Sequence, residues 1–404
     1  MVWGSLLASI AVVAGVGYYA YEEAQTWKSD ESNLHTETEI RALQIAGYFL
    51  WGLSSVLFCL MCAVRKRIFL AIGVVKEAAK AISAMPLLIF FPLLQCIGLF
   101  AFVSVWIIYV IFLASLGSIQ TDQIGVNGVS VNIRAFEYDK ETEYQGWYLL
   151  FCFFWTSQFI IALGEIIIAL STAKWFFTKE KSSIGNKTVV QSMFQGFFFH
   201  AGTAAFGSLI IAVISMIRSF LAYIQRKAKN SGNRLMIAVL ACLQCFMCCL
   251  EKCMKFINKN AYIQTAIFGT SFCQSAREAF FLILRNIARV GTLSAVSEVV
   301  VILGKIFVAA VSGGCGYIFL DGSFRDEIHS PIAPVIFIIL LSYFAGSMFM
   351  NVFSMVTSTI LQCFIADEEM FNGSEESFSD ESLKSWIDSN GRNTKVGRTV
   401  QPTS

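Results

Sequence analysis

Apolar residues collect in eight runs, at 2–20, 43–64, 84–116, 147–175, 196–220, 236–250, 291–320 and 332–354. A helix needs about 20 mostly apolar residues to cross a bilayer. All but the sixth run approach or exceed that length, and the sixth is the weakest span. Two other stretches repeat apolar residues at helical spacing with a polar side. In 68–82 these are Ile68, Ile72, Val75, Ala79 and Ile82, with Lys76, Glu77 and Lys80 opposite. In 261–287 they are Ile263, Ile267, Phe272, Ala276, Phe280 and Ile283, with Arg277, Glu278 and Arg285 polar. Both read as amphipathic helices at the inner membrane face. The pattern predicts an all-α polytopic helical membrane protein with about eight spanning segments plus inner-face helices.

The polar segments choose sides. Arg65, Lys66, Arg67, Lys76 and Lys80 crowd 65–83, and Lys174, Lys179, Lys181 and Lys187 crowd 174–187. Acidic residues dominate 21–41 and 117–146. Lys and Arg stay cytoplasmic, so 65–83, 176–195 and the tail are expected inside, and 21–41, 117–146 and 321–331 outside. The basic segment 218–234 breaks the rule, since strict alternation puts it outside. Two solutions satisfy the parity: a crossing hairpin over 196–250 with a basic outer loop, or two segments that do not fully cross. The length of 196–220 favours the hairpin.

Composition narrows the class. Of 404 residues, 56% are hydrophobic and 14% charged, against about 25% charged in soluble domains. Run 2–20 has no basic n-region and no evident cleavage site, so it reads as a span, not a signal peptide. Residues 1–370 read as one transmembrane domain. Residues 371–404 read as an acidic cytoplasmic tail, with a short helix near 379–388 and disorder beyond Asn390. A net charge of +2 gives no footprint for nucleic acid. No P-loop, HExxH or GxSxG is present, so neither an enzyme nor a cofactor is expected.

Candidate chemistry lies inside the spans. The central stretch 154–177 holds Gln158 and Glu165 in an apolar run flanked by Trp147, Trp155 and Trp175. An ionisable group at that depth is expensive and marks a partner or a wet cavity by default. Glu298 and Lys305 are seven apart, share a helical face roughly 10 Å apart along the axis, and make a Glu165–Lys305 ion pair geometrically possible. Glu165, Glu298 and Lys305 are read as a charge relay or ion pair; the competing readings are a structural hydrogen bond from Glu165 to a neighbouring helix and an ion pair that only fixes packing. Cys242, Cys245, Cys248, Cys249 and Cys253 have zinc-like spacing. They fall on an apolar helical run away from the three histidines, which favours packing or lipidation over a metal. His200 opens a span, and SGGCG at 312–316 suits close helix packing.

Several blocks resemble the choline transporter-like family of eukaryotic solute carriers: RKRIFLAIGVVKEAAKAI at 65–82, FWTSQF at 154–159, CLEKCMKFINKNAYIQTAIFGTSFCQSAREAF at 249–280 and ILQCFIADEEMFNGS at 360–374. HAGTAAFGS at 200–208 and LGK at 303–305 add to it. The third block is the most specific, and the match runs from about Trp3 to Asp388. The resemblance implies transmembrane transport of choline, ethanolamine or a related amino-alcohol cation, most naturally at the plasma membrane, with an internal organelle membrane as the other location. The rival is a non-transporting membrane scaffold. Family members place two spans and a long outer loop before the region matching residue 1, so Met1 is expected not to start the complete protein. A quaternary ammonium is held over aromatic faces. That chemistry points to Trp155, Gln158 and Phe159 with Trp106, Tyr109 and Tyr343 as a cage, and to Glu165 as the deeper negative charge. The partners expected are this cation and membrane lipids; the pattern does not set an oligomeric state.

Overall fold

The computed structural model describes residues 2–29, 37–63, 65–126, 129–230, 234–323, 332–371 and 378. Eleven α-helices account for nearly all of them: α1 (Val2–Ser29), α2 (Glu37–Ala63), α3 (Arg65–Ala84), α4 (Leu87–Ala114), α5 (Lys140–Phe176), α6 (Asn186–Phe199), α7 (Ala201–Asn230), α8 (Arg234–Phe268), α9 (Phe272–Arg285), α10 (Ile287–Ser323) and α11 (Ile332–Phe371). Among the described residues seven helices are long and apolar enough to cross a membrane: α2, α4, α5, α7, α8, α10 and α11. The polytopic helical class predicted by the pattern therefore stands, although run 2–20, inside α1, is not among the seven. The expected outer loop 117–146 contains an antiparallel hairpin of β1 (Ser118–Val126) and β2 (Val129–Glu137), with Ser118 opposite Glu137 and Val126 opposite Val129. The expected helix at 379–388 lies outside the described residues.

The chain forms two compact units, one of Met1–Lys80 with Asn286–Ser404 and one of Ala81–Arg285. In the first, α1 packs on α2 and α10 on α11. The Trp51 indole N–H donates to Ala14 O at 3.2 Å, and the rings of Tyr21, Tyr48 and Trp51 meet tilted or edge-on beside it. SGGCG does serve packing, because Gly313 and Gly316 face Ile339 and Ile338 of α11. At the other end of this pair Arg289 Nη1 donates to Glu368 Oε2 at 2.7 Å.

The second unit is built around α5, which packs against α4, α6, α7 and α8. Its sequence accounts for this position. Small and β-branched residues from Ala162 to Ala173 are buried on every side of the helix, as befits a helix that is apolar all round. Gln95 of α4 donates its Nε2 to Ile160 O at 3.0 Å and to Ile161 O at 3.2 Å. Lys181 closes the far end, donating to Trp175 O and Phe176 O at 2.7 and 2.8 Å. Those carbonyls are left open where the helix stops.

Three expectations shift. Segment 218–234 is not a loop, since 218–230 forms the last turns of α7 and Arg234 starts α8. The two helices run antiparallel, and both reach spanning length because α8 continues well past 250. One basic residue of the segment, Arg218, pairs with Glu251 of α8 and so fixes helix to helix. Residues 261–287 are not one amphipathic helix. α8 runs to Phe268, Gly269 turns at φ +68°, and α9 begins at Phe272. A left-handed residue after a helix is the usual glycine stop. The buried side of α9 is Phe272, Ser275, Ala279 and Leu282, leaving Phe280 exposed. In α3 the buried side is Val74, Glu77, Ala78 and Ala81, while Ile72, Val75 and Ile82 are half-exposed. The small side chains make the close approach, and Glu77 is tied to Lys80 at 2.7 Å.

Candidate functional site

Glu165 lies in the deepest part of α5. Among residues 162–173 it alone is half-buried; the other eleven are buried. Its neighbours in charge are Lys259 and Lys255 of α8, and its field reaches the Tyr262 hydroxyl on the same helix. Gln158, seven residues back, shares its face. Trp155 and Phe159 lie further toward the N-terminus of α5, on the adjoining side of the same helix. The Trp155 indole N–H donates to Ala205 O of α7 at 3.1 Å, and its ring leans on Phe151. The residue stays 38% exposed.

The remaining cage candidates are elsewhere. Trp106 donates its indole N–H to Leu149 O at 2.9 Å and packs on Phe153 with centroids 4.8 Å apart. Leu149 and Phe153 lie about half a turn around α5 from Trp155, so the two indoles flank the helix on opposite sides. Tyr109 is exposed on α4. Tyr343, Glu298 and Lys305 belong to the first unit, with Tyr343 and Glu298 exposed and Lys305 half-buried.

The structure adds residues that the pattern did not single out. α6 and α7 are collinear neighbours in sequence, broken at His200. The His200 N–H still donates to Gly196 O at 3.3 Å and the Ala204 N–H to His200 O at 3.1 Å. Among the described residues no backbone bond joins Ala201, Gly202 or Thr203 to Phe197, Phe198 or Phe199. Gly196 rests on Ile167 and Ala205 meets Trp155, so the break falls opposite the middle of α5. Broken helices at such a level line cavities in transport proteins.

Two turns along α7, Gly207 meets α8. Asn258 Nδ2 donates to Gly207 O at 2.7 Å, and the Tyr262 hydroxyl packs so closely that any side chain at 207 would collide with it and with Phe272. Asn258 is 3% exposed, and its Oδ1 has no hydrogen-bond partner. Further along the same side of α8, Glu251 accepts from Arg218 and from Lys255, the latter at 2.7 Å. Glu251, Lys255, Asn258, Lys259 and Tyr262 therefore form a polar stripe beside Glu165. The signal was present in the 249–280 block: these residues recur at spacings of three and four along one face of α8. Among the described residues no group of three His, Cys, Asp or Glu is placed to hold a metal. Cys242, Cys245, Cys249 and Cys253 are exposed on the side of α8 away from the stripe.

Seven long apolar helices and a polar stripe along one of them define a polytopic, multi-pass integral membrane protein. The family model described as plasma-membrane choline transporter matches residues 48–369. The chain belongs to this family. It is 32% identical over 358 residues to choline transporter-like protein 2 of Dictyostelium discoideum, covering 88% of this chain and 56% of that protein. It is 31% identical over 426 residues to choline transporter-like protein 2 of Xenopus laevis, covering 93% of this chain and 60% of that protein. Against choline transporter-like protein 1 of Rattus norvegicus the identity is 29% over 362 residues, covering 89% and 54%. The chain thus spans a little over half the length of these curated relatives.

Proposed function

We propose that the chain carries choline or a related amino-alcohol cation such as ethanolamine across the plasma membrane, with the cation held beside α5. The observation that carries this reading is Glu165, a half-buried acidic residue in a buried stretch of α5, with the part-exposed Trp155 further along the same helix. Family membership supports the cargo. A carboxylate in apolar surroundings attracts a cation far more strongly than one in water. Aromatic faces hold a quaternary ammonium that cannot donate a hydrogen bond. Phe159 and Gln158 complete the site on α5. Lys259 and Lys255 of α8 lie within electrostatic reach of the same carboxylate, Lys255 being itself paired with Glu251 at 2.7 Å. Glu298 and Lys305 are assigned to packing of the first unit.

Labelled choline uptake in cells lacking their own carriers tests the reading. Saturable uptake is expected. Trp155→Leu is expected to raise the half-saturating concentration about 2- to 30-fold, the equivalent of one cation–aromatic contact. Glu165→Gln is expected to abolish concentrative uptake at equal surface expression. Unchanged affinity and maximal rate in both variants would place the cation elsewhere.

A further inference from the structure

Gln95 is a half-buried amide among the apolar side chains of α4, where a polar group without a partner is costly. Its Nε2 carries two hydrogens and meets two carbonyls of α5, Ile160 O at 3.0 Å and Ile161 O at 3.2 Å. In the helical ladder those carbonyls accept from the N–H groups of Gly164 and Glu165. The amide therefore grips the turn of α5 that closes on Glu165, which stands about 40° around the axis from Ile161. Gly164 makes the approach possible. A methyl group there would come within 2.6 Å of Gln95 Nε2 and 3.0 Å of the Phe91 ring. On its own helix Gln95 follows Pro92, which is buried with Leu88 and Phe91. Pro92 has no N–H, so the Leu88 carbonyl loses its ladder donor and α4 is interrupted within a turn of Gln95. The tie to α5 thus comes from just beyond the weak point of α4.

We propose that Gln95 is a positioning residue for Glu165, holding the α5 turn at the rotation and depth where its carboxylate meets the cation. This rests on the cation site proposed above and names a residue of a second helix on which that site depends. Gln95 acts through the backbone of α5 and not on the cargo. The attraction between a carboxylate and an ammonium falls with distance and with any water admitted between them. A turn that shifts therefore weakens binding without changing the chemistry of either partner. Removing the Gln95 donor strands no acceptor, because Ile160 O and Ile161 O keep their own ladder partners. The loss falls on the placement of Glu165 and not on the fold.

Labelled choline uptake by the full chain at equal surface expression, with melting in detergent beside it, tests this. Gln95→Met keeps the length of the side chain and removes the donor. It is expected to raise the half-saturating choline concentration about 3- to 15-fold, the worth of one interhelical hydrogen bond, with the maximal rate kept. Gln95→His retains a neutral donor of similar reach and is expected to restore most of the affinity. Gly164→Ala pushes the amide away and is expected to act like Gln95→Met. The two together should add little, since both break one contact. Native half-saturation in Gln95→Met, where Glu165→Gln abolishes uptake, would overturn the proposal and leave the cation site standing. A fall in maximal rate or melting temperature with half-saturation unchanged would also overturn it, assigning Gln95 to the fold. Gln95→His no better than Gln95→Met would overturn it too, tracing the effect to side-chain fit and not to the donor. Native uptake in Glu165→Gln would sink the cation site itself, and this proposal with it.

Discussion

At the scale of single residues, the α7–α8 contact depends on what is missing at Gly207. A methyl group there meets the Tyr262 hydroxyl, and Phe272 at 2.9 Å. Both rings sit in a packed interior, so the strain has no easy outlet. Gly207→Ala is expected to destabilise the protein by about 1–3 kcal/mol, read as a lowered melting temperature in detergent. Pairing it with Tyr262→Leu should recover part of the loss, since contacting sites are not additive. Glu251 gives a second expectation. Its side chain is 11% exposed and neutralises Arg218 and Lys255, which are 41% and 50% exposed. Glu251→Ala strands two cations and should cost about 1–3 kcal/mol after allowance for solvent around the basic partners. Arg218→Gln should cost less, because Glu251 keeps Lys255. Melting of the two variants beside the native chain checks the order.

At the scale of elements, the turn between α8 and α9 rests on Gly269 at φ +68° and on Thr265 donating to Ser275 Oγ at 2.9 Å. A left-handed residue with a side chain costs about 1–2 kcal/mol. Gly269→Ala is therefore expected to lower the melting temperature, and Gly269→Asn to do so less. The element scale is also where the sequence was most and least readable. Long apolar runs gave α2, α4, α5, α10 and α11 almost directly, because a bilayer leaves a helix few other ways to satisfy its backbone. α8 was read short because the charged residues from Glu251 onward look like an exit into water. Glu251 is instead paired with Arg218 of α7 and with Lys255. Periodicity could not supply that pairing, which depends on a neighbour more than thirty residues away. Glu165 was legible because a carboxylate in an apolar run has no bland place to go. Asn258 was not, because an amide in a helix acquires meaning only when Gly207 takes one of its two ends.

At the scale of the whole molecule, the charge asymmetry predicts that the β1–β2 hairpin is external and that the segment 65–83 is cytoplasmic. Cysteine introduced as Asp122→Cys should react with an impermeant reagent on intact cells. Reaction only after permeabilisation would invert the molecule. The broken helix matters at this scale too. α6 leans on α4 and α5, whereas α7 leans on α5, α8 and α9. Between them, Gly202 has open space where a side chain would be, and three backbone links of the usual ladder are absent. A rod in two pieces does not transmit torque across its joint. The half from Asn186 to Phe199 and the half that bears Gly207 are therefore held by different neighbours, and the joint between them lies opposite the stretch of α5 just before Glu165.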